Sequence, residues 1–372
     1  MKSTSIAIVG AGLSGLYAGH LLERQGTHDY VLLEARAALG GRIASVNAAE
    51  QSVSDTADTI DRFDLGPTWF WPAYQRQLHR LVDELGLEYF EQFENGDMMV
   101  ECSSDTPPLR MRGYESSPAS MRLIGGMSAL VDALRHTLDP TRIITGQMVR
   151  QLCATPTHID LHSQDTSGRL TTWRAAQVLL ALPPRLAESM IAFAPALPQT
   201  LTQQWRATAT WMAPQAKYIA LYDRSFWREQ GLSGAARSVC GPLREIHDAS
   251  MPGGSAALFG FFGIPAHVRK KVSTEALRRH CRAQLARLFG PQAAMPRIDV
   301  IKDWAEDPWT ATARDLDAEI HHAEAPSTMT TSGPWHGRLI GIASEWSPHF
   351  PGYVAGAIEA ADLGVQAVTI LR

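Results

Sequence analysis

A glycine-rich turn near the start of the chain constrains the fold more than any other feature. The turn, Gly10-Ala-Gly12-Leu-Ser-Gly15, follows an apolar run at residues 5–9 and precedes residues 14–25, whose leucines have helical spacing. A second apolar run at residues 30–33 predicts the next strand, and the acid Glu34 comes directly after it. This order of strand, turn, helix and strand predicts a βαβ unit, and therefore an α/β fold.

Each part of this unit has a role in binding a dinucleotide. Gly10 makes the tight turn, Gly12 lets backbone N–H groups approach a pyrophosphate, and Gly15 lets the helix pack on the strand. The N-terminus of the helix stabilises the phosphate charge. Glu34 is placed to accept hydrogen bonds from a ribose. The alternative is a plain glycine turn with an unrelated acid, and the complete unit disfavours it.

Composition excludes several other classes of protein. The 372 residues are 45% hydrophobic and 19% charged, which is ordinary for a globular protein and long enough for two domains. A net charge of −4 gives no reason to expect nucleic acid or an anionic membrane as a partner. No apolar run reaches the roughly 18 residues of a membrane span. The four cysteines are scattered and fit no metal site, so we expect a cytoplasmic protein without a metal.

Helical and strand-like patterns continue along the chain without an internal repeat. Periodicity predicts helices over 77–85, from Gly125-Gly126 to near Pro140, over 274–289 and from Tyr353 to the end, and strands over 177–182, 216–222 and 338–343. The arginines of the 274–289 helix are expected to form a solvated face and not a nucleic-acid site: Arg278, Arg279, Arg282 and Arg287.

Further motifs follow the glycine turn in a fixed order. Glu34-Ala-Arg36-x-x-x-Gly40-Gly41-Arg42 continues from the ribose acid, and Asp64-Leu-Gly66-Pro-Thr-Trp69 comes next. Near the end stand Gly341-Ile-Ala-Ser-Glu345-Trp and Pro351-Gly352-Tyr353-Val-Ala-Gly356-Ala357. In this combination, over nearly its whole length, the chain resembles the flavin-containing amine oxidase family. It departs from the family pattern where Pro67 replaces a glycine and where Ala343-Ser344 replaces Gly-Thr.

The resemblance implies two domains that interleave in sequence, as in amine oxidases and p-hydroxybenzoate hydroxylase. A Rossmann-like FAD-binding domain would use residues 1–76, 119–184 and 333–372. A mixed-sheet substrate domain would use residues 77–118 and 185–332.

The resemblance also implies which residues bind FAD. Arg42 would lie along the pyrophosphate and ribityl chain, Glu345 would bond the ribityl hydroxyls, and the backbone of Val149 would hold the adenine. Ala313 stands where some members carry a cysteine that binds FAD covalently, so we expect a non-covalent cofactor. The implied cofactor residues are Gly10, Gly12, Leu13, Ser14, Gly15, Glu34, Ala35, Arg36, Gly41, Arg42, Gly66, Pro67, Thr68, Trp69, Val149, Glu345, Gly352, Tyr353 and Val354.

The helix that starts at Tyr353 supports this assignment from physical principles. The positive end of a helix, with Gly352 allowing close approach, would favour the anionic reduced flavin ring. The alternative for the nearby Glu345 is a solvated loop acid.

Lys217 is the residue that most needs a functional explanation. Strand alternation places it on the same face as Ile219 and Leu221, where a lysine is costly unless it lines a wet site. In the family, a lysine at this place holds a water against flavin N5, and the resemblance gives Lys217 that catalytic role. The alternative is a lysine whose amine extends past apolar surface to reach solvent.

The resemblance also implies which residues line the substrate pocket. Tyr353 corresponds to one of two tyrosines that form a cage before the flavin, and Arg314 stands in place of the other, with Trp309 nearby. Arg314 either meets an acidic group of the substrate or points to solvent and pairs with Asp315 or Asp317. Fewer than forty residues separate Gly86 from Gly125, where family members carry a longer helical subdomain, so we expect a wide entrance.

The implied reaction is amine oxidation: hydride passes to flavin N5, the imine is hydrolysed, and dioxygen becomes hydrogen peroxide. The partners would be a small amine and O2. Two alternatives stay open: a flavin-dependent desaturase or isomerase acting on a non-amine substrate, and a redox-silent FAD-binding protein. Lys217 and Tyr353 argue against the second, and the C-terminal motifs argue against an NAD dehydrogenase.

Overall fold

The computed structural model describes residues 1–47, 61–316 and 324–370. Its α-helices are α1 Leu13–Arg24, α2 Arg76–Glu84, α3 Ser128–His136, α4 Pro184–Met190, α5 Gln199–Ala207, α6 Phe226–Glu229, α7 Ala266–Arg269, α8 Thr274–Phe289, α9 Ala313–Leu316 and α10 Val354–Ile370. Short 3-10 helices cover Pro140–Arg142, Pro291–Ala294, Trp304–Glu306 and Ser344–Trp346.

The strands lie before and between these helices, in several places three or four in succession. They are β1 Lys2–Val9, β2 Tyr30–Leu33, β3 Ser45–Asn47, β4 Arg62–Asp64, β5 Tyr89–Glu91, β6 Asp97–Glu101, β7 Leu109–Met111, β8 Met121–Leu123, β9 Ile143–Ile144, β10 Gln147–Ala154, β11 Ile159–Asp165, β12 Leu170–Leu180, β13 Ala192–Ala194, β14 Ala216–Tyr222, β15 Leu232–Ser238, β16 Leu243–Asp248, β17 Ala256–Phe262, β18 Ile298–Asp303 and β19 Leu339–Gly341.

The first of two compact units comprises Met1–Ile43, Leu130–Ala213 and Pro308–Arg372. Its mixed sheet has the order β13-β10-β11-β12-β1-β2-β9, with β19 also pairing with β12. β1 pairs in parallel with both β12 and β2, and its residues from Ile6 to Val9 are all buried. A strand buried on both faces reads as a continuous apolar run, which is the pattern that predicted it.

The second compact unit comprises Ala44–Ala129 and Pro214–Asp307. Its large sheet has the order β18-β14-β17-β16-β15-β6-β7, and two short hairpins pair β3 with β4 and β5 with β8. The side chains of β14 alternate between two cores. Tyr218 and Tyr222 pack in a cluster with the apolar residues of α8, whereas Ile219 and Leu221 pack with Phe63 and other residues around β4.

Most predicted elements agree with the structure to within a few residues. The predicted 216–222 strand and 274–289 helix coincide with β14 and α8. The helix expected to open at Gly125-Gly126 begins at Ser128, because both glycines have positive φ and form a turn before it. Two of the four arginines expected on a solvated face of α8 have buried partners. Arg282 forms an ion pair with the buried Asp299, and Arg287 forms one with the buried Glu101.

The compact units break the chain at different residues from the predicted domains. The described residues of 44–76 and 119–129 belong to the second unit, and those of 185–213 and 308–332 belong to the first unit. The units are defined by packing, whereas the predicted domains are defined by the ligand that each would bind. The assignment of a cofactor domain and a substrate domain therefore stays a prediction.

Candidate active site

The glycine turn of the first unit leaves room for an anion at the start of α1. Gly10 has φ +105°, and a Cβ added at Gly15 would lie 1.9 Å from the carbonyl oxygen of Gly10, so both positions require glycine. A Cβ added at Gly12 would meet nothing closer than 3.9 Å. Among the described residues no side chain caps α1, and its first turn, from Leu13 and Ser14 onward, holds no acid. The space and the uncapped amides fit a pyrophosphate.

Glu34 is held rigidly beside this turn, at the end of β2. One carboxylate oxygen accepts a hydrogen bond from the backbone N–H of Ala11 at 2.7 Å, and the other accepts one from Arg36 N–H at 2.8 Å. The side chain is buried. Each carboxylate oxygen can accept a further hydrogen bond, so these acceptors fit the hydroxyls of a ribose, which would donate.

The start of β10 lies against the segment that contains Glu34, Ala35 and Arg36. The backbone N–H of Gln147 donates to the carbonyl of Glu34 at 2.7 Å. The pairing of β10 with β11 changes register just after Val149, which indicates a bulge. The Val149 side chain is buried in the core of the first unit, so its backbone is the part that a ligand can contact.

Arg42 and Glu345 are joined by a bidentate ion pair. The two guanidinium nitrogens lie 2.5 and 2.9 Å from the two carboxylate oxygens, and Arg42 also donates to the hydroxyl of Ser344 at 3.1 Å. The Glu345 side chain is 2% exposed, so the alternative of a solvated loop acid is wrong. A buried carboxylate needs such a partner, and the pair fixes the guanidinium just before the start of α10. Gly41, next to Arg42, approaches Gly12 so closely that an added Cβ would lie 3.2 Å from its Cα.

The residues just before α10 pack against Trp211, which lies in a turn. Gly352 has φ +82°, and an added Cβ would lie 2.4 Å from the Cβ of Trp211. The ring of Tyr353 stacks on the Trp211 indole, with centroids 6.1 Å apart and planes inclined by 28°. Helix α10 itself begins at Val354, one residue later than predicted.

The loop before Tyr353 is tied to α10 by one acid, Glu359. Its carboxylate accepts hydrogen bonds from the hydroxyl of Ser347, from the backbone N–H of His349 at 3.1 Å, and from the ring of His349 at 2.5 Å. These hydrogen bonds hold the pKa of Glu359 below its usual value although burial alone would raise it. His349 is therefore a scaffold residue on an exposed loop.

Lys217 lies buried in the second unit. Its ammonium donates to the carbonyl of Gly66 at 3.1 Å and to the hydroxyl of Thr68 at 2.5 Å. It also lies 4.1 Å from the centroid of the Phe259 ring, a cation–π distance. Only 2% of the residue is exposed, so the alternative of an amine that reaches solvent is wrong.

Burial lowers the pKa of the Lys217 amine to about 7. The carboxylate of Asp64 opposes this shift and the guanidinium of Arg122 adds to it. Asp64 is itself buried, which raises its pKa, and it accepts hydrogen bonds from Ser45 and from the backbone of Met127. Near neutral pH, Lys217 therefore populates both the charged and the neutral form.

The segment from Gly66 through Pro67 to Trp69 lies beside the same sheet. The Trp69 indole donates to the side-chain oxygen of Gln92 at 2.7 Å, and its ring meets that of His247 edge-on at 4.9 Å. At one end of β14 and its neighbouring strands, the Lys217 amine thus lies beside a group of aromatic rings that includes Trp69.

Arg314 is exposed on the short helix α9. It does not pair with Asp315, because the Asp315 carboxylate is buried and accepts hydrogen bonds from Arg185 at 2.6 Å and from the backbone N–H groups of Thr210 and Thr312. The other suggested partner, Asp317, lies outside the described residues. Trp309, just before this helix, is half-buried.

Sequence reasoning missed three residues that the structure places at these sites. Trp211 lies in a turn with no periodicity, and its only signal is an aromatic side chain shortly before Lys217. Asp64 belongs to a quoted motif but received no role. Arg122, in β8, carried no signal, since arginines are mostly exposed.

The first unit therefore has the construction of a dinucleotide-binding domain: a parallel βαβ unit, a glycine turn with free space before it, and a fixed acid after the second strand. Residues 8–85 match the profile of an NAD(P)-binding Rossmann-like domain, and residues 89–369 match that of the flavin containing amine oxidoreductases. The chain belongs to the flavin-containing amine oxidoreductase family and is an FAD-dependent oxidoreductase.

Individual relatives agree with this assignment. A putrescine oxidase of Kocuria rosea is 27% identical over 98% of this chain and 96% of its own length. A probable flavin-containing monoamine oxidase A of Dictyostelium discoideum is 22% identical over 95% of each chain. The solved structure of cyclohexylamine oxidase from Brevibacterium oxydans IH-35A matches with a TM-score of 0.79 at 19% identity, over 99% of this chain and 100% of that one. The predicted family, fold class and FAD cofactor are confirmed.

No described helix combines the length and the apolar character needed to cross a bilayer. Within the same residues, no group of three or more His, Cys, Asp and Glu side chains is arranged to hold a metal ion.

Proposed function

We propose that the protein oxidises the carbon next to a neutral amine nitrogen to an imine, which water then hydrolyses. When bound, FAD supplies a hydride acceptor at N5 and passes the electrons to dioxygen, giving hydrogen peroxide. We further propose that residues 1–76, 119–184 and 333–372 form the cofactor domain and that residues 77–118 and 185–332 form the substrate domain.

The observation that carries this proposal is the buried amine of Lys217. An isolated buried cation costs several kcal/mol, of order 3 or more, and a fold does not need one in an apolar sheet face. Its two acceptors, Gly66 and Thr68, belong to a motif assigned to the cofactor. A lysine with a pKa of about 7 can hold or release a proton at neutral pH, which a redox-silent binding protein would not require.

The residues of the first unit would bind and orient. The amides at the start of α1 would take the pyrophosphate, Glu34 the ribose, and the backbone of Val149 the adenine. The Arg42–Glu345 pair would face the ribityl chain. Tyr353 would place the amine, whose neutral form is required because an ammonium cannot readily give up hydride.

An anaerobic titration tests this function. The purified yellow protein would be mixed without oxygen with putrescine, cyclohexylamine, benzylamine and bulkier amines, and the visible absorbance of the flavin followed. Bleaching by an amine, followed by peroxide release when air is admitted, is the expected result. Bleaching only by non-amine substrates would favour a desaturase or isomerase. Bound FAD that no compound reduces would favour a redox-silent protein.

A further inference from the structure

Trp211 lies where it can control the position of Tyr353. It begins a turn between α5 and β14, and its indole stacks on the phenol ring of Tyr353 at 6.1 Å. Its carbonyl accepts a hydrogen bond from Arg42 at 3.4 Å. One residue thus contacts both the guanidinium that is paired with Glu345 and the aromatic ring at the start of α10.

The turn that carries Trp211 is held in an unusual backbone conformation. Met212 has φ +63°, a left-handed value that a bulky side chain rarely adopts. The turn is anchored just before Trp211, where the backbone N–H of the buried Thr210 donates to Asp315 at 3.0 Å. Asp315 is in turn fixed by its ion pair with Arg185. A strained turn held by a buried ion pair presents its aromatic side chain in one direction.

The partner side of the contact is shaped to receive the indole. An added Cβ at Gly352 would lie 2.4 Å from the Cβ and 2.7 Å from the Cγ of Trp211, so any other residue would displace the ring. Glu359 accepts hydrogen bonds from His349 and so fixes the loop that precedes Gly352 and Tyr353. Both rings of the stack are half-buried, so each keeps a surface that a ligand can meet.

We propose that Trp211 is a positioning residue for Tyr353: its indole holds the phenol ring in the orientation that receives the substrate. This inference rests on the proposed function, in which Tyr353 places the amine. The resemblance gives the position of Arg314 to a second tyrosine. In this chain Trp211 therefore supplies an aromatic neighbour for Tyr353. Trp211 acts through Tyr353, and its side chain makes no contribution to the Arg42 hydrogen bond, which uses the backbone.

A double-mutant cycle on the FAD-loaded enzyme tests the coupling. Trp211→Leu should raise KM and lower kcat/KM by about two- to tenfold, the range expected for loss of one aromatic pair. In a Tyr353→Leu background the same substitution should change kcat/KM by less than about twofold, since contacting residues are not additive. Trp211→Phe should retain most of the activity because a phenyl ring can still stack. Equal losses in both backgrounds would overturn the proposal.

A second measurement does not depend on activity. With ring-labelled tyrosine, the resonances of Tyr353, assigned with Tyr353→Phe, should shift in Trp211→Phe and in Gly352→Ala. Trp71→Phe, which replaces another half-buried tryptophan, is the matched control and should leave them in place. Unmoved resonances in Trp211→Phe would show that the two rings do not stack. If the wild type oxidised no amine, the proposed function would be rejected, and the ring shifts would still show whether Trp211 stacks on Tyr353. If the wild type were active but the two substitutions had additive effects on kcat/KM, only the role of Trp211 would be rejected.

Discussion

At the scale of single residues, the fold brings the protonation of Lys217 into the neutral pH range. Burial lowers its pKa to about 7 from a usual value near 10.5, so the amine is charged below neutral pH and neutral above it. A nearby cation would stabilise the negative charge that develops on dioxygen as it is reduced. The charged form of Lys217 should therefore favour the oxidative half-reaction and matter less for hydride removal from the amine.

Lys217→Met tests this assignment. The substitution should slow flavin reoxidation by dioxygen more than it slows flavin reduction by the amine, and stopped-flow measurement of the two half-reactions separates them. In the wild type the reoxidation rate should fall as pH rises through about 7, and in the variant this dependence should vanish. Lys302→Met is the matched control, because Lys302 is the cross-strand neighbour of Lys217 and pairs with Asp307. Wild-type rates in both half-reactions would leave Lys217 without a catalytic role.

Thr68→Val should move that pH dependence. The Thr68 hydroxyl accepts from the Lys217 ammonium at 2.5 Å and thereby favours its charged form. A hydrogen bond to a charged group is worth about 1.5–3 kcal/mol, so its loss should lower the midpoint of the reoxidation profile by roughly one to two pH units. Thr68→Ser retains the hydroxyl and should retain the profile. An unchanged midpoint in Thr68→Val would mean that the Thr68 hydroxyl does not contribute to the pKa of Lys217.

At the scale of secondary structure, the sequence predicts the bounds of helices and strands that have one strong apolar periodicity. It does not predict which side chains those elements contact. β14 and α8 coincide with the prediction because each repeats its apolar spacing over its full length. β7 went unrecognised because it has only three residues and is exposed at the end of its sheet, so it carries no apolar periodicity. The Arg42–Glu345 pair and the stack of Trp211 on Tyr353 join segments far apart in sequence, so only the packed fold defines them.

Glu34 links an element boundary to cofactor affinity. Glu34 directly follows β2 and accepts hydrogen bonds from the backbone of the glycine turn and of Arg36. Glu34→Ala should therefore both remove a hydrogen-bond partner of the ribose and loosen the turn. Loss of such a buried acceptor costs about 1–3 kcal/mol, so the Kd for FAD should rise by roughly fivefold to 150-fold. Titration of the apoprotein with FAD measures this, with Asp165→Ala, at an exposed turn of the same unit, as control. An unchanged Kd would make Glu34 a purely structural acid.

The resemblance assigns the position of covalent cofactor attachment, where a member has one, to the segment around α9. Ala313 stands at the candidate linkage position, and the cysteines of the chain, Cys102, Cys153, Cys240 and Cys281, lie far from it in sequence. FAD should therefore be released when the yellow protein is denatured with acid and centrifuged. Colour that stays in the pellet would contradict this, whereas Ala313→Cys is the variant in which some colour could remain.

At the scale of the whole molecule, this chain lacks segments that a relative carries. The alignment with the Kocuria rosea enzyme runs over 483 positions, more than the 372 residues here, so the relative carries segments that this chain lacks. Residues 85–127 are all described, and they hold strands β5 to β8 and no α-helix. A short covering of this kind favours a wide entrance over a sealed pocket.

The resemblance assigns Arg314 to the substrate pocket, and together with a wide entrance we expect it to select bulky or partly acidic amines. Arg314 is exposed and Asp315 is already paired with Arg185, which leaves the guanidinium able to meet a substrate carboxylate. Arg314→Tyr should lower kcat/KM for amines that bear a carboxylate by about tenfold or more, the loss of one charged hydrogen bond. It should leave small arylalkylamines unchanged or improve them. Arg169→Tyr, at an exposed turn of the same unit, is the matched control. If small arylalkylamines were the best substrates of the wild type and Arg314→Tyr changed neither class, both the wide entrance and the role of Arg314 would be rejected.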